Sequence, residues 1–153
     1  MKNFSTAFII LFLFSLNYAF AQNSSAVTGY WLTGEKESQV KIYRSDDGAF
    51  HGKIVWLEEP YEDDGSIKRD DENPNKELRN RKIMGLKILK NFEYDTGDER
   101  WEDGKIYDPK SGKTYDCYMW FENGNTDVLY VKGYIGISLI GRETKWTREA
   151  AKR

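Results

Sequence analysis

Two short patterns near the ends of the chain constrain it more than anything between them. Gly29-Tyr30-Trp31 comes early, and Trp146-Thr147-Arg148 stands five residues before the end. A Gly-x-Trp on a first strand and an arginine on a last strand complement each other when those strands become neighbours. The indole plugs one end of a closed sheet. The guanidinium stacks on its face and donates to nearby carbonyls. The expectation is a single closed β-barrel, with Gly29, Trp31 and Arg148 sealing one end.

The residues between read as strands and turns. Runs at 27–33, 39–44 and 49–58 are apolar or alternating, and polar turn segments separate them. The turn at Ser45-Asp46-Asp47-Gly48 tests the register. If Asp46-Asp47 forms a type I turn and Gly48 takes the left-handed bulge position, Ile42 faces Gly52, Val40 faces Ile54 and Arg44 faces Phe50. That register sends Val40, Ile42, Phe50, Ile54 and Trp56 to one face, and Lys41, Tyr43, His51 and Lys53 to the other. A slip of one residue would mix the two sets. Further strands are expected at 83–94, 101–107, 113–122, 127–134 and 142–148. The total of eight closes a barrel just wide enough for side chains or one small ligand. The apolar, glycine-flanked segment 135–141 reads as a tight turn or a 3₁₀ piece packed on the barrel end.

One stretch breaks the pattern. Residues 58–72 hold eight acids (Glu58, Glu59, Glu62, Asp63, Asp64, Asp70, Asp71 and Glu72), and six bases follow between Lys76 and Lys90. The reading is a solvated, mutually neutralising insert over 58–82. Its low apolar content makes it the expected mobile lid. Asn73-Pro74 is a fitting helix cap and first helical residue, so a short helix is expected over 74–80.

Residues 1–21 have the form of a secretory signal. Lys2 is the one charge, residues 7–16 are strongly apolar, and Ala19-Phe20-Ala21 is a small-x-small cleavage site. The apolar stretch is short for a membrane span, so no stable membrane insertion is expected after cleavage. The mature chain, 22–153, is one domain with a periplasmic or secreted address. Losing Lys2 takes the net charge from −2 to −3. A mildly acidic, mixed surface argues against nucleic acid as a partner.

The chemistry-bearing residues are few. Cys117 is the single cysteine, so no internal disulfide can form, and it reads as a small buried apolar residue. His51 is the single histidine and falls on the polar face. One His and one Cys cannot supply a zinc site. Asp70-Asp71-Glu72-Asn73 lacks the ring spacing and tight-turn glycine of an EF-hand, and reads as solvated acid. No phosphate loop or dinucleotide fingerprint is present, and the glycines all read as turns or strand bends. No catalytic residue, metal ligand or cofactor is therefore nominated. Tyr118, Trp120 and Tyr130 line one face of the strands around Asn123-Gly124, while Tyr115, Cys117, Met119 and Phe121 line the other. With both faces apolar or amphipathic, the sequence leaves open which points inward.

An ordered set of motifs runs through the chain. It begins at Gly52-Lys53-Ile54-Val55, then Asn73-Pro74 with Leu78-Arg79-Asn80-Arg81 and Gly85-Leu86. Gly104-Lys105-Ile106-Tyr107-Asp108-Pro109 follows with Gly112-Lys113-Thr114-Tyr115. Gly133-Tyr134-Ile135-Gly136, Gly141-Arg142 and Trp146-Thr147-Arg148 complete it. Taken together the chain resembles a bacterial family catalogued as domain of unknown function 2147. The resemblance implies an exported, lipocalin-like barrel and brings no catalytic residue with it. On this basis the expected fold is an all-β, antiparallel eight-stranded barrel. The expected role is binding a small hydrophobic or amphipathic molecule in the bacterial envelope, against Val40, Phe50, Ile54, Trp56, Tyr118 and Trp120. The first alternative is a structural or protein-interaction module with a side-chain-filled barrel, a second copy of the chain being one such partner. The second is a carboxylate-dependent hydrolase or isomerase working under the 58–82 lid.

Overall fold

The computed structural model describes residues 24–137 and 140–153. The signal segment and its cleavage site lie outside the described residues. Eight strands follow one another: β1 (Gly29–Leu32), β2 (Ser38–Arg44), β3 (Phe50–Leu57), β4 (Lys87–Asp95), β5 (Arg100–Asp108), β6 (Lys113–Phe121), β7 (Val128–Tyr134) and β8 (Gly141–Glu149). Each pairs antiparallel with the next, and β8 returns to β1, so the sheet closes into an up-and-down barrel with no free edge. The bulged turn after β2 gives the pairs Val40–Ile54, Ile42–Gly52 and Arg44–Phe50. Gly48 sits there at φ +91°.

Alternation then sorts the side chains. Trp31, Val40, Ile42, Phe50, Ile54, Leu89, Phe92, Trp101, Cys117, Met119, Leu129, Val131 and Trp146 form one buried core. Near one end the rings pack edge to face. Trp101 meets Phe121 at 5.2 Å and Phe50 at 6.4 Å between centroids. The packing is tight enough that a Cβ on Gly104 would overlap the Phe92 ring. Burying aromatic side chains of this size is the largest favourable contribution such a fold has.

The strands define two ends. The β2–β3, β4–β5 and β6–β7 connections lie at the end where β1 begins and β8 finishes. The β1–β2 turn, the long β3–β4 insert, and the β5–β6 and β7–β8 connections lie at the other. Of the short helix expected over 74–80, only a single 3₁₀ turn forms, at Lys76–Leu78. Its cap is Asn75, whose side chain accepts from the Glu77 N–H. Asn73 is drawn inward instead, for a reason given below. The segment after β7 is not packed on the barrel end. Ile135, Ile137 and Ile140 are 60–71% exposed, and the Ile140 N–H donates to the Ile137 carbonyl.

Candidate functional site

The first end is sealed by its own two strands. Trp31 pairs with Arg148 across β1 and β8 and is fully buried. The Arg148 guanidinium lies 4.2 Å above the indole ring. It donates to the carbonyls of Ala26 (2.6 Å), Thr126 (2.8 Å) and Thr28 (3.0 Å). The indole N–H donates to the Val27 carbonyl at 2.8 Å. Gly29 is needed on two counts: its φ is +130°, and a Cβ there would stand 3.1 Å from an Arg148 nitrogen. The residues before β1 are thereby laced under the barrel, with Val27 fully buried.

The opposite end is closed by the insert, which is anchored from inside. Asp70 is fully buried and Asn73 nearly so, against the expectation that both would be solvated. The Tyr107 hydroxyl donates to Asp70 Oδ1 at 2.5 Å. Asn73 Nδ2 donates to Asp70 Oδ2 (2.8 Å) and to the Tyr107 oxygen (3.0 Å). Arg81 completes the carboxylate at 2.6 Å. Burial, with the hydrogen bond to Asp70 second, pushes the Tyr107 phenol up to about 12. Gly112 lets the β5–β6 turn approach, since a Cβ there would overlap the Glu72 carbonyl oxygen. The insert is thus a clamped cover rather than the loose lid its composition suggested. One acid and one amide of a charged run are used as internal polar contacts, and composition alone cannot show which.

A third region lies on the barrel exterior. Because Cys117 and Met119 point inward, Tyr118 and Trp120 point out. Tyr130, between buried Leu129 and Val131, does the same. The register then aligns Arg100, Trp120, Tyr130 and Lys145 as one row across β5, β6, β7 and β8. Trp120 stacks on Tyr130 (5.2 Å, 28°) and packs beside Tyr118 (5.3 Å). Arg100 covers the Tyr118 ring at 5.2 Å, and Lys145 covers Tyr130 at 4.7 Å. At the sealed end this row drops into a groove of about 290 Å³ lined by Asp98, Glu99, Arg100, Tyr118, Trp120 and Phe121. Arg100 is fixed there by Asp98 (2.9 Å) and Glu102 (2.6 Å).

The six residues nominated from sequence are not brought together. Val40, Phe50 and Ile54 are interior core residues. Trp56 shifts faces, because the register slips between Gln39 and Val40 and leaves Trp56 opposite Gln39 rather than in line with Ile54. It lies under the Arg153 guanidinium, 4.9 Å away, where the C-terminal residues run back over Gln39. Tyr118 and Trp120 line the outer groove. Sequence reasoning missed Asp98, Glu99 and Arg100 as their companions. The available signal was a charged turn directly preceding the strand that pairs with Trp120.

The single cysteine and the single histidine are both buried. The Cys117 thiol is buried and pushed well up by that burial. His51, although on the outer face, is 7% exposed, and its Nδ1 accepts from the Asn91 N–H at 3.3 Å. Burial first, then the charge of Lys87, lowers its pKa. Among the described residues no group of three His, Cys, Asp or Glu side chains is placed to share a metal ion.

The comparisons agree with this architecture. The model of a family described as an uncharacterised protein conserved in bacteria, DUF2147, matches residues 29–148, from the sealing glycine to the sealing arginine. No curated protein matches the sequence. Among solved structures, the chain is similar to protein HP1028 from the human pathogen Helicobacter pylori, described as belonging to the lipocalin family. The TM-score is 0.66 and the identity 26%, over 81% of this chain and 83% of that one. The chain therefore belongs to the bacterial family DUF2147, and its fold is a lipocalin-like barrel.

Proposed function

We propose that this is an exported binding protein of the bacterial envelope, and that it holds a small amphipathic molecule in the outer groove at Tyr118 and Trp120. A lipocalin-like barrel accords with small-molecule binding in general. The observation that carries the specific reading is the groove itself. It brings Tyr118, Trp120 and Phe121 together with three charged side chains around an open surface groove of about 290 Å³, at the small end of ligand sites. The interior offers a weaker case, since large aromatic and aliphatic side chains converge there. Native mass spectrometry of the protein isolated from its own host tests the reading. The expected result is a bound mass that disappears in Trp120→Ala. No bound mass, or one indifferent to that change, would contradict it. The export component is tested separately, by a mature N-terminus at Gln22 in the periplasmic or secreted fraction.

A second reading, that of an interaction module, has its own observation. The exposed Ile135, Ile137 and Ile140 stand at the insert end with Tyr61 and Met84, which are also exposed. Self-association lost on replacing the three isoleucines by serine would favour it.

A further inference from the structure

We infer that the outer wall of β1 to β4 is a second binding surface, and that it takes a flexible linear polyanion whose repeating charge is phosphate. It uses other strands than the Tyr118–Trp120 groove and does not depend on that proposal.

The register builds the surface. Lys41 faces Lys53 across β2 and β3, and Lys53 faces Lys87 across β3 and β4, with Tyr30 beside Lys41 on β1. Val40, Ile42 and Ile54 next to them are buried in the core, so Lys41 and Lys53 point outward, and Lys87 is exposed beside them. Adjacent strands are about 4.8 Å apart, so three like charges fall within roughly 10 Å. Like charges directly opposite one another destabilise a sheet unless an opposite charge lies between them. Among the described residues no carboxylate forms an ion pair with Lys41, Lys53 or Lys87. β1, β2 and β3 contain no Asp or Glu, in a chain that has 25. Lys41 instead lies over the Tyr30 ring at 5.4 Å, and Lys53 over Tyr43 at 6.0 Å.

The acids at the margins of this wall are engaged elsewhere. Asp47 accepts from the Ser45 hydroxyl and the Ala49 N–H. Glu149, beside Tyr30 on β8, accepts from Arg153 and from the Gln39 amide. Glu93 on β4 faces Glu102 on β5. The charge of the row is therefore open to solvent. It also reaches His51, whose pKa is lowered by burial first and by Lys87 next. Lys90, exposed on β4, continues the cationic surface toward β5.

The row costs the fold a repulsion that an anionic partner removes, and such a partner gains three contacts at once. The ammonium group of lysine suits phosphate as a point charge. The row runs across strands and so around the barrel. A flexible chain can follow that curve, whereas a flat bilayer meets only part of it. Both tyrosines already carry lysines, so the surface offers charge rather than open rings on which bases would stack.

The test titrates the mature protein with long-chain inorganic polyphosphate at several salt concentrations. Saturable binding is expected, with affinity falling as salt rises along a log–log slope of roughly −2, about 0.7 for each of three ammonium groups. A variant carrying Lys41→Gln, Lys53→Gln and Lys87→Gln should lose about tenfold or more in affinity, and most of that slope. A second variant carries Lys36→Gln, Lys76→Gln and Lys113→Gln, three exposed lysines outside the row with the same loss of charge. It should bind much as the parent does. Neutralising the row relieves repulsion, so the first variant should melt no lower than the parent at low salt. A clear drop in its melting temperature would show that the lysines serve the fold, and would overturn the inference. Equal weakening in both variants would overturn the site and reduce binding to net charge. Equal binding of polyglutamate would overturn phosphate as the recognised group. Binding to phosphatidylglycerol vesicles without binding to polyphosphate would overturn the linear ligand, and binding to neither would overturn the surface itself.

Discussion

The two ends of this barrel are closed by different means. At the first end, neighbouring strands contribute a ring and a guanidinium at paired positions, Trp31 and Arg148, and the hydrogen bonds run to carbonyls beside them. Its loops at 45–49, 96–99 and 122–127 contain Asp46, Asp47, Asp98, Glu99, Glu122 and Asp127, with no Lys or Arg. At the second end the closure is long-range. A carboxylate in the insert reaches a tyrosine at the end of β5, 37 residues away. The exposed apolar side chains Tyr61, Ile67, Met84, Ile135, Ile137 and Ile140 all stand on connections at this end. The proposed ligand groove belongs to the first end. The Trp31–Arg148 seal and the proposed groove thus lie at the same end of the barrel, the groove where β5 and β6 hold Arg100 and Trp120 side by side.

The sharpest way to break the comparison is to remove the second closure. Asp70→Ala leaves the Tyr107 hydroxyl, the Asn73 amide and Arg81 without their acceptor. A loss of about 2–4 kcal/mol is expected, moderated because Arg81 is partly solvated. Denaturant unfolding measures the loss. Limited proteolysis of Asp70→Ala should then cut first within 58–82, a segment expected to resist cutting in the parent. Closely related is the alkaline limit. Tyr107 ionises at about 12 in the fold against about 10 in an unfolded chain. With the folded value raised, this stabilisation is complete below pH 10 and is lost as pH rises through 12. The loss from Tyr107 should be on the order of 2 kcal/mol, visible in melts across that window, and the alkaline loss should be smaller by that share in Tyr107→Phe, where Tyr94 and Tyr134, also raised, still contribute.

Arg148→Ala tests the first end. Losing the stack on Trp31 and three carbonyl contacts should cost about 1–3 kcal/mol, with the insert remaining protected from protease. If that variant instead loosened the insert, the two closures would be one cooperative unit rather than two. The smallest effect is at His51. Its lowered pKa means the unfolded chain binds a proton more readily than the folded one. Stability should therefore fall as pH drops below about 6.5, and His51→Gln should remove that slope.

Legibility in the sequence follows the range of the interactions. The sealed end could be read because Gly29, Trp31 and Arg148 lie on strands whose pairing is forced once the barrel closes. The β2–β3 register could be read because Asp46-Asp47-Gly48 fixes its own turn. The slip beside Trp56 could not, since nothing in Ile54-Val55-Trp56 marks an unpaired residue. Asp70 and Asn73 were hidden among eight acids whose composition favours solvent, and their partner Tyr107 comes from a distant strand. The outer groove was half visible. The alternation of Tyr118 and Trp120 with Cys117 and Met119 was plain, but both faces are apolar enough to be interior. Only the closed barrel decides which face turns out.

The five tryptophans, Trp31, Trp56, Trp101, Trp120 and Trp146, sample each region of the molecule once or twice. That makes the indole N–H signals in a nitrogen-edited NMR titration the most direct test of where a ligand binds. The mature protein would be titrated with the molecule recovered from its own host. The Trp120 signal should move progressively to saturation, while those of Trp56 and Trp146 stay in place. Movement led by Trp31, Trp101 or Trp146, with Trp120 unmoved, would place the ligand inside the barrel and contradict the account.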